Sequence, residues 1–241
     1  MQGIRAVCFD LDNTLWDIWP VISRAEQSMM EFLALHYPNA MIGETLESMR
    51  AAREAVARRF PHQQHDFSFL RQQALREQSL RCGYAECMVE EAFEVFLSAR
   101  NRVDLYEEVA ESLQRLQQRY RLFTASNGNA DLSRIGIAHW FERSVRAREV
   151  GALKPAAAVF HKVVESTDLQ LHEVLYVGDD PVADVEGARL AGMRSVWINR
   201  TAEPWPAELA QPEHTVTSLR ELVTWLGCAS LARGVEKIHC T

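Results

Sequence analysis

Four short segments carry residue types that can hold an anion and a cation together. In the first, Val7-Cys8-Phe9-Asp10-Leu11-Asp12-Asn13-Thr14-Leu15, two carboxylates sit two residues apart just after an apolar run. Open α/β sheets bind ligands at such a place, although an acidic strand-to-loop turn would use the same residue types. In the second, Ser126-Asn127-Gly128-Asn129, a hydroxyl and an amide can donate hydrogen bonds to an anion, and Gly128 permits close backbone approach. Standing alone, that segment also reads as a glycine turn. The third, Gly151-Ala152-Leu153-Lys154-Pro155, sets a lysine before a proline suited to a first helical turn. Only Lys154, Lys162 and Lys237 are lysines among 26 basic residues, which weakens the reading of Lys154 as one more solvated cation. The fourth, Val177-Gly178-Asp179-Asp180-Pro181-Val182-Ala183-Asp184, returns acids to the end of another apolar run. Asp179, Asp180 and Asp184 crowded beside Asp10 and Asp12 would repel strongly without a cation. Hard oxygen donors with no neighbouring His or Cys point to Mg2+, while Asp180 before Pro181 could also cap the following helix, Val182 to Ala191.

The elements that must position these residues are visible as short runs rich in Val, Ile, Phe and Leu: Ile4 to Phe9, Arg121 to Ala125, Val174 to Val177 and Arg194 to Ile198. Near-continuous apolar runs of this length suit strands buried on both faces of a parallel sheet. Helical spacing between and after the later runs (Val159, Phe160, Val163, Val164; Leu219, Leu222, Val223, Leu226) predicts a doubly wound α/β sheet. From Pro20 to Arg102 no strand is predicted. Ile22, Ala25, Met29, Phe32 and Leu33 form one amphipathic face starting just after Pro20, and helical patches follow at Thr45 to Arg59, Phe67 to Arg81 and Glu86 to Ala99. Gly43, Pro61 and Gly83 break them, so a separate helical lobe is inserted between the first two strands. Ser230 to Thr241 carries no pattern that can be placed.

With 241 residues, 47% of them apolar, the chain has material for a full core, and its net charge of −7 argues against a nucleic-acid polymer or an anionic membrane surface as partner. Five cysteines, Cys8, Cys82, Cys87, Cys228 and Cys240, without a C-x-x-C pair or zinc-like spacing predict reduced thiols, and the short apolar N-terminal run is no signal peptide. A cytoplasmic protein, monomer or dimer, is expected.

Taken in order, the four segments resemble the haloacid dehalogenase superfamily, in particular its Mg2+-dependent aspartate-nucleophile phosphatases. The resemblance spans Asp10 to Asp184 and rests on D-x-D-x-T (Asp10, Asp12, Thr14), the serine of S-N-G (Ser126), the lysine of K-P (Lys154) and G-D-D-x-x-x-D (Asp179, Asp180, Asp184). It implies a Rossmann-like core of residues 1–17 and 103–241 and a helical cap of residues 18–102. It further implies that Asp10 attacks phosphorus to give an aspartyl-phosphate, and that Asp12 protonates the leaving oxygen and later activates water. Mg2+ is then expected on Asp10, the Asp12 carbonyl and Asp179, with Asp184 acting through a metal-bound water and Asp180 an outer ligand or only a helix cap. Ser126, Asn127 and Lys154 are expected on the phosphate, and Thr14 as a loop-orienting residue.

The substrate implied is a small phosphorylated metabolite. Ser126 to Asn129, Gly178-Asp179-Asp180, Gly187-Ala188 to Ala191-Gly192-Met193 and Trp197-Ile198 look like the bacterial branch containing flavin mononucleotide phosphatases, whose relatives act on riboflavin-pathway precursors or nucleoside monophosphates. FMN is therefore the leading substrate, with Trp16 and Trp19 as the indoles that would stack on its ring, although hinge packing would use them equally well. Arg50, Arg53, Arg58, Arg59, Arg71, Arg76 and Arg81 read mainly as solvated faces balanced by Glu44, Glu47, Glu54 and Glu77, with a substrate-anion contact among them the alternative. His62 and His65 lack a third metal ligand. Three rival readings remain: a haloacid dehalogenase, which lacks the second aspartate of the first motif; a phosphomutase; and a non-enzymatic phospho-accepting module, which has no helical insert after its first strand.

Overall fold

The computed structural model describes residues 3–228. The tail at 230–241, for which no pattern was found, lies outside them. Six parallel strands form one sheet in the order β3-β2-β1-β4-β5-β6: β1 Ala6–Phe9, β2 Arg121–Ser126, β3 Arg143–Arg146, β4 Val174–Gly178, β5 Arg194–Ile198 and β6 His214–Val216. The four predicted strands are the four central ones. The edge strands β3 and β6 went unpredicted because Arg-Ser-Val-Arg and His-Thr-Val are short and half polar, as edge positions with one wet side allow.

Strand parity sorts the core. Val7 and Phe9 face a cluster completed by Val109, Leu113 and Leu116 of α5 (Val109–Gln117) and by Leu219, Leu222 and Val223 of the helix Leu219–Trp225. Ala6 and Cys8 face the opposite cluster, with Val159, Phe160 and Val163 of the helix Ala157–Val164 and with Tyr176. Helices cover both faces, which is the doubly wound architecture that the alternating runs demanded.

Between β1 and β2 the chain forms the helical insertion: α1 Ile18–His36, α2 Leu46–Arg59, α3 Phe67–Cys82 and α4 Cys87–Arg100. Helix α1 begins before Pro20, because the Asp17 side chain accepts from Trp19 N and caps it, leaving the proline within the first turn. Thr45 and Ser48 form a reciprocal capping box on α2, Asp66 caps α3, and Gly83 ends α3 with φ +74. The insertion has its own apolar core, including Ala25, Met29, Leu33, Leu75, Met88, Ala92 and Phe96. Among the described residues no helix is long and apolar enough to cross a membrane, and Cys8, Cys82, Cys87 and Cys228 are free thiols.

Candidate active site

Asp10 continues β1 for one more ladder bond, its N–H donating to Val177 O at 2.9 Å. Parity places it on the side of Cys8 and Tyr176, where Lys154 arrives. Lys154 is 5% exposed, and its Nζ lies 2.6 Å from Asp10 Oδ1, 2.5 Å from Asp184 Oδ1 and 2.8 Å from Tyr176 Oη. An ammonium has three N–H donors, so these three acceptors use all of them. Tyr176 Oη in turn donates to Ala125 O at 2.7 Å. Burial alone would push Lys154 down, but the carboxylates of Asp10 and Asp184 more than offset it and hold the lysine above its ordinary value.

The carboxylates feel the opposite imbalance. Burial pushes Asp10 well up, Lys154 pulls it back, and the charges of Asp184 and Asp179 push it up again. Asp179 is raised to about 7, by burial first and the Asp184 charge second. Oxygens of Asp10, Asp179 and Asp184 lie within 4.8 Å of one another, with one lysine to neutralise three acids. This donor set of hard oxygens without His or Cys, together with its uncompensated charge, fits a bound Mg2+.

Local geometry explains the spacing of the motifs. After Asp10 the chain turns tightly: Leu15 N bonds Leu11 O, Asn13 adopts φ +60 and its side chain accepts from Ile18 N. Thr14 Oγ1 donates to Asp179 Oδ1 at 3.2 Å and Trp197 Nε1 to Asp179 O at 2.8 Å, so two neighbours orient that aspartate. Asp180 Oδ1 accepts from Val182 N and Ala183 N at 2.8 Å each, so its side chain is the helix cap. The segment it caps, Pro181–Glu186, is a wide helical turn with Val185 N bonded to Asp180 O, running into the helix Gly187–Leu190 rather than one regular helix from Val182 to Ala191. That turn swings Asp184 back over Gly178, where an added Cβ would come within 2.3 Å of the Asp184 carboxylate. Both Asp184 oxygens are engaged, Oδ1 by Lys154 and Oδ2 by Asp180 N at 3.0 Å.

Asn127 and Ser126, expected on the phosphate, both line the cavity and also hold neighbouring backbone. Asn127 donates one Nδ2 proton to Lys154 O at 3.2 Å and accepts Lys154 N on Oδ1 at 2.8 Å, locking the lysine's backbone. Ser126 Oγ accepts from Gly128 N at 3.0 Å and keeps its own proton for a ligand.

Asp12 carries a contact that no motif announced. Arg100, the last residue of α4 and 1% exposed, reaches down from the insertion and places Nη2 2.7 and 2.8 Å from the two Asp12 carboxylate oxygens. Trp16 Nε1 donates to Asp12 Oδ1 at 2.8 Å. The available signal was positional: Arg100 follows Ala92 and Phe96 at helical spacing on a buried apolar stripe, where an unpaired arginine is not expected.

The acids, Lys154 and Arg100 border a cavity of about 450 Å³. Its floor is Asp10, Asp12, Ser126, Asn127, Lys154, Asp179 and Asp184; Ile18, Ile22, Phe67, Leu70 and Phe96 supply apolar wall, and Arg53, Arg71 and Arg100 supply cations. Arg71 stands over the Phe96 ring at 3.7 Å from its centroid and bonds the buried Glu26 at 3.3 Å, which Arg50 and Arg53 also pair. Burial, then the Arg53 charge, lowers Arg71 to about 9. Neither indole expected to stack on a substrate borders the cavity: Trp16 is wholly buried beside Asp12, and Trp19 is 69% exposed on α1.

Comparison with known proteins agrees with this geometry. The model of the hydrolase family described as haloacid dehalogenase-like hydrolase matches residues 4–192. The 5-amino-6-(5-phospho-D-ribitylamino)uracil phosphatase YigB of Escherichia coli (strain K12) is 32% identical over 199 residues, covering 81% of this chain and 83% of that protein. A phosphoserine phosphatase of Thermus thermophilus is 35% identical over 158 residues, 63% of each chain. The solved structure of a 2-haloacid dehalogenase from Pseudomonas syringae pv. Tomato DC3000 superposes with a TM-score of 0.88 at 32% identity, over 93% of this chain and 98% of that one.

Proposed function

Because the chain belongs to the haloacid dehalogenase-like hydrolase family and is a phosphatase of it, we propose that it hydrolyses a phosphomonoester whose phosphate sits at the end of a ribityl chain bearing a planar heterocycle. FMN and 5-amino-6-(5-phospho-D-ribitylamino)uracil, the substrate named for the relative YigB, share that chemistry. The single observation that carries the phosphatase reading is the convergence of Asp10, Asp179, Asp184 and Lys154 on the cavity floor.

In this reading a carboxylate oxygen of Asp10 attacks phosphorus, the ester P–O bond breaks and the leaving oxygen takes a proton from Asp12. Water then attacks the aspartyl-phosphate, its proton returns to Asp12, and Asp10 and inorganic phosphate are released. Lys154 occupies Oδ1 of Asp10, and among the described residues no donor reaches Oδ2, which is the oxygen left to attack. Asp10, Asp179 and the Asp12 carbonyl would hold Mg2+, with Asp184 supporting it through water because its own oxygens are engaged. When bound, Mg2+ neutralises charge between the phosphate and the carboxylates. Ser126 offers its hydroxyl to the phosphate. The heterocycle would lie along Phe67, Leu70 and Ile22, with Arg53 and Arg71 available to ring carbonyls.

The likeness to a 2-haloacid dehalogenase structure supports a second reading, but displacing halide from carbon requires no proton for the leaving group and would leave Asp12, held by both Arg100 and Trp16, without a task. Phosphate release from FMN, the ribitylaminouracil phosphate, nucleotides and sugar phosphates, with and without Mg2+ and in Asp10→Asn, tests the proposal. Mg2+- and Asp10-dependent turnover favouring the two ribityl phosphates is expected. Halide release from 2-haloacids without phosphate release from any ester would reverse it.

A further inference from the structure

All three donors of Lys154 are engaged by Asp10, Asp184 and Tyr176, so the cation expected on the phosphate at the floor of the cavity is already committed. Arg100 is the other buried cation there. Arginine–carboxylate pairs frequently use two nitrogens in a parallel fork. Here a single nitrogen, Nη2, takes both Asp12 oxygens, and Nη1 is buried without a hydrogen-bond partner among the described residues. A buried, unpaired charged donor is costly to maintain in a native protein and calls for a partner. Arg100 borders the cavity with Asp12, Ser126 and Gly128, and its Nη2 lies 3.3 Å from where a Cβ on Gly128 would stand.

We propose that Arg100 is a substrate-contacting residue carried by the helical insertion: Nη1 donates to an oxygen of the phosphomonoester bound over Asp10 while Nη2 keeps Asp12 turned toward the leaving group. The inference rests on the phosphatase reading above and adds to it the group that anchors the phosphate. It also ties the seating of α4 to the orientation of Asp12, because both contacts leave with the same side chain if the insertion lifts away.

Arg100→Gln and Arg100→Lys, compared with the unmodified enzyme in Mg2+, test it by inhibition with inorganic phosphate and by turnover of glycerol phosphate against p-nitrophenyl phosphate. Loss of one charge-assisted bond weakens phosphate inhibition about 10- to 100-fold in Arg100→Gln. Glycerol phosphate, whose leaving group needs a proton, loses more kcat than p-nitrophenyl phosphate, and Arg100→Lys regains part of kcat by pairing with Asp12 while phosphate inhibition stays weak. Unchanged phosphate inhibition in a folded variant, or equal kcat losses on both esters, overturns the inference. Should neither variant fold, the side-chain NMR signals of the unmodified protein decide: a buried guanidinium resonance that does not move on phosphate addition overturns it too. An unmodified protein that releases no phosphate from any ester would instead overturn the phosphatase reading itself.

Discussion

Lys154 Nζ stands 2.6 Å from Asp10 Oδ1, in a pocket where the lysine is 5% and the aspartate 6% exposed. One buried cation thus holds two buried acids, since Asp184 is equally close. Removing a partner from such a cluster leaves uncompensated charge, typically worth about 3–5 kcal/mol. Lys154→Met should therefore lower the Tm of the metal-free protein strongly, and Mg2+ should restore part of it by taking over the neutralisation. Equal Tm values for the metal-free variant and parent, measured by scanning calorimetry, would contradict the pairing.

Burial, then the Asp184 charge, raises Asp179 to about 7, against an ordinary 3.8. Between those values the folded protein keeps a proton that the unfolded chain has released, so this group's contribution to stability falls as pH rises through that window. A cation binds only the ionised carboxylate. The increase in Tm on adding Mg2+ should accordingly be small near pH 5.5 and grow toward pH 8. A gain independent of pH across that range would remove Asp179 from the metal site.

Phe67 is 42% exposed and borders the cavity, whereas Trp19, more exposed still, does not. Stacking of a planar ring on an aromatic side chain contributes about 1–3 kcal/mol. Phe67→Ala should raise KM for FMN or the ribitylaminouracil phosphate by about tenfold or more, while leaving KM for acetyl phosphate nearly unchanged. Trp19→Ala should alter neither. Steady-state kinetics on the two ester classes check both, and a Trp19→Ala effect confined to ring-bearing esters would restore the indole to the substrate.

Gly128 has no room for a side chain, since a Cβ would lie 2.6 Å from Asp12 Oδ2 and 3.3 Å from Arg100 Nη2. Gly128→Ala should displace Asp12 from Arg100 and reduce kcat by about 10²-fold or more, the range for a lost acid-base group. The protein should stay folded, because the clash falls on the cavity floor and not in the core. A kcat within twofold of the parent, with an unaltered melting curve, would show that the Asp12 position is not needed.

How much was legible in the sequence depended on the distance over which each feature is determined. The central strands announce themselves because β1, β2, β4 and β5 are mostly apolar runs without alternation, the pattern of segments buried on both faces. The helices of the insertion are equally local, stated by capping residues such as Thr45 and Asp66 and by breakers such as Gly83. The acids of the site follow for the same reason, since the ends of two paired parallel strands bring Asp10 and Asp179 together. Tertiary structure alone decided what those acids meet. Arg100 is 88 positions from Asp12, and only the seating of α4 over the sheet delivers its guanidinium. Tyr176 was legible as a strand residue, but its role in holding Lys154 depends on a lysine 22 positions earlier arriving on the Cys8 face. Trp16 and Trp19 lie only three residues apart, yet a tight turn buries one beside Asp12 while the first turn of α1 leaves the other in solvent. Spacing states which side chains share a strand or a helix face; which of them share a cavity is decided by packing between elements far apart in the chain.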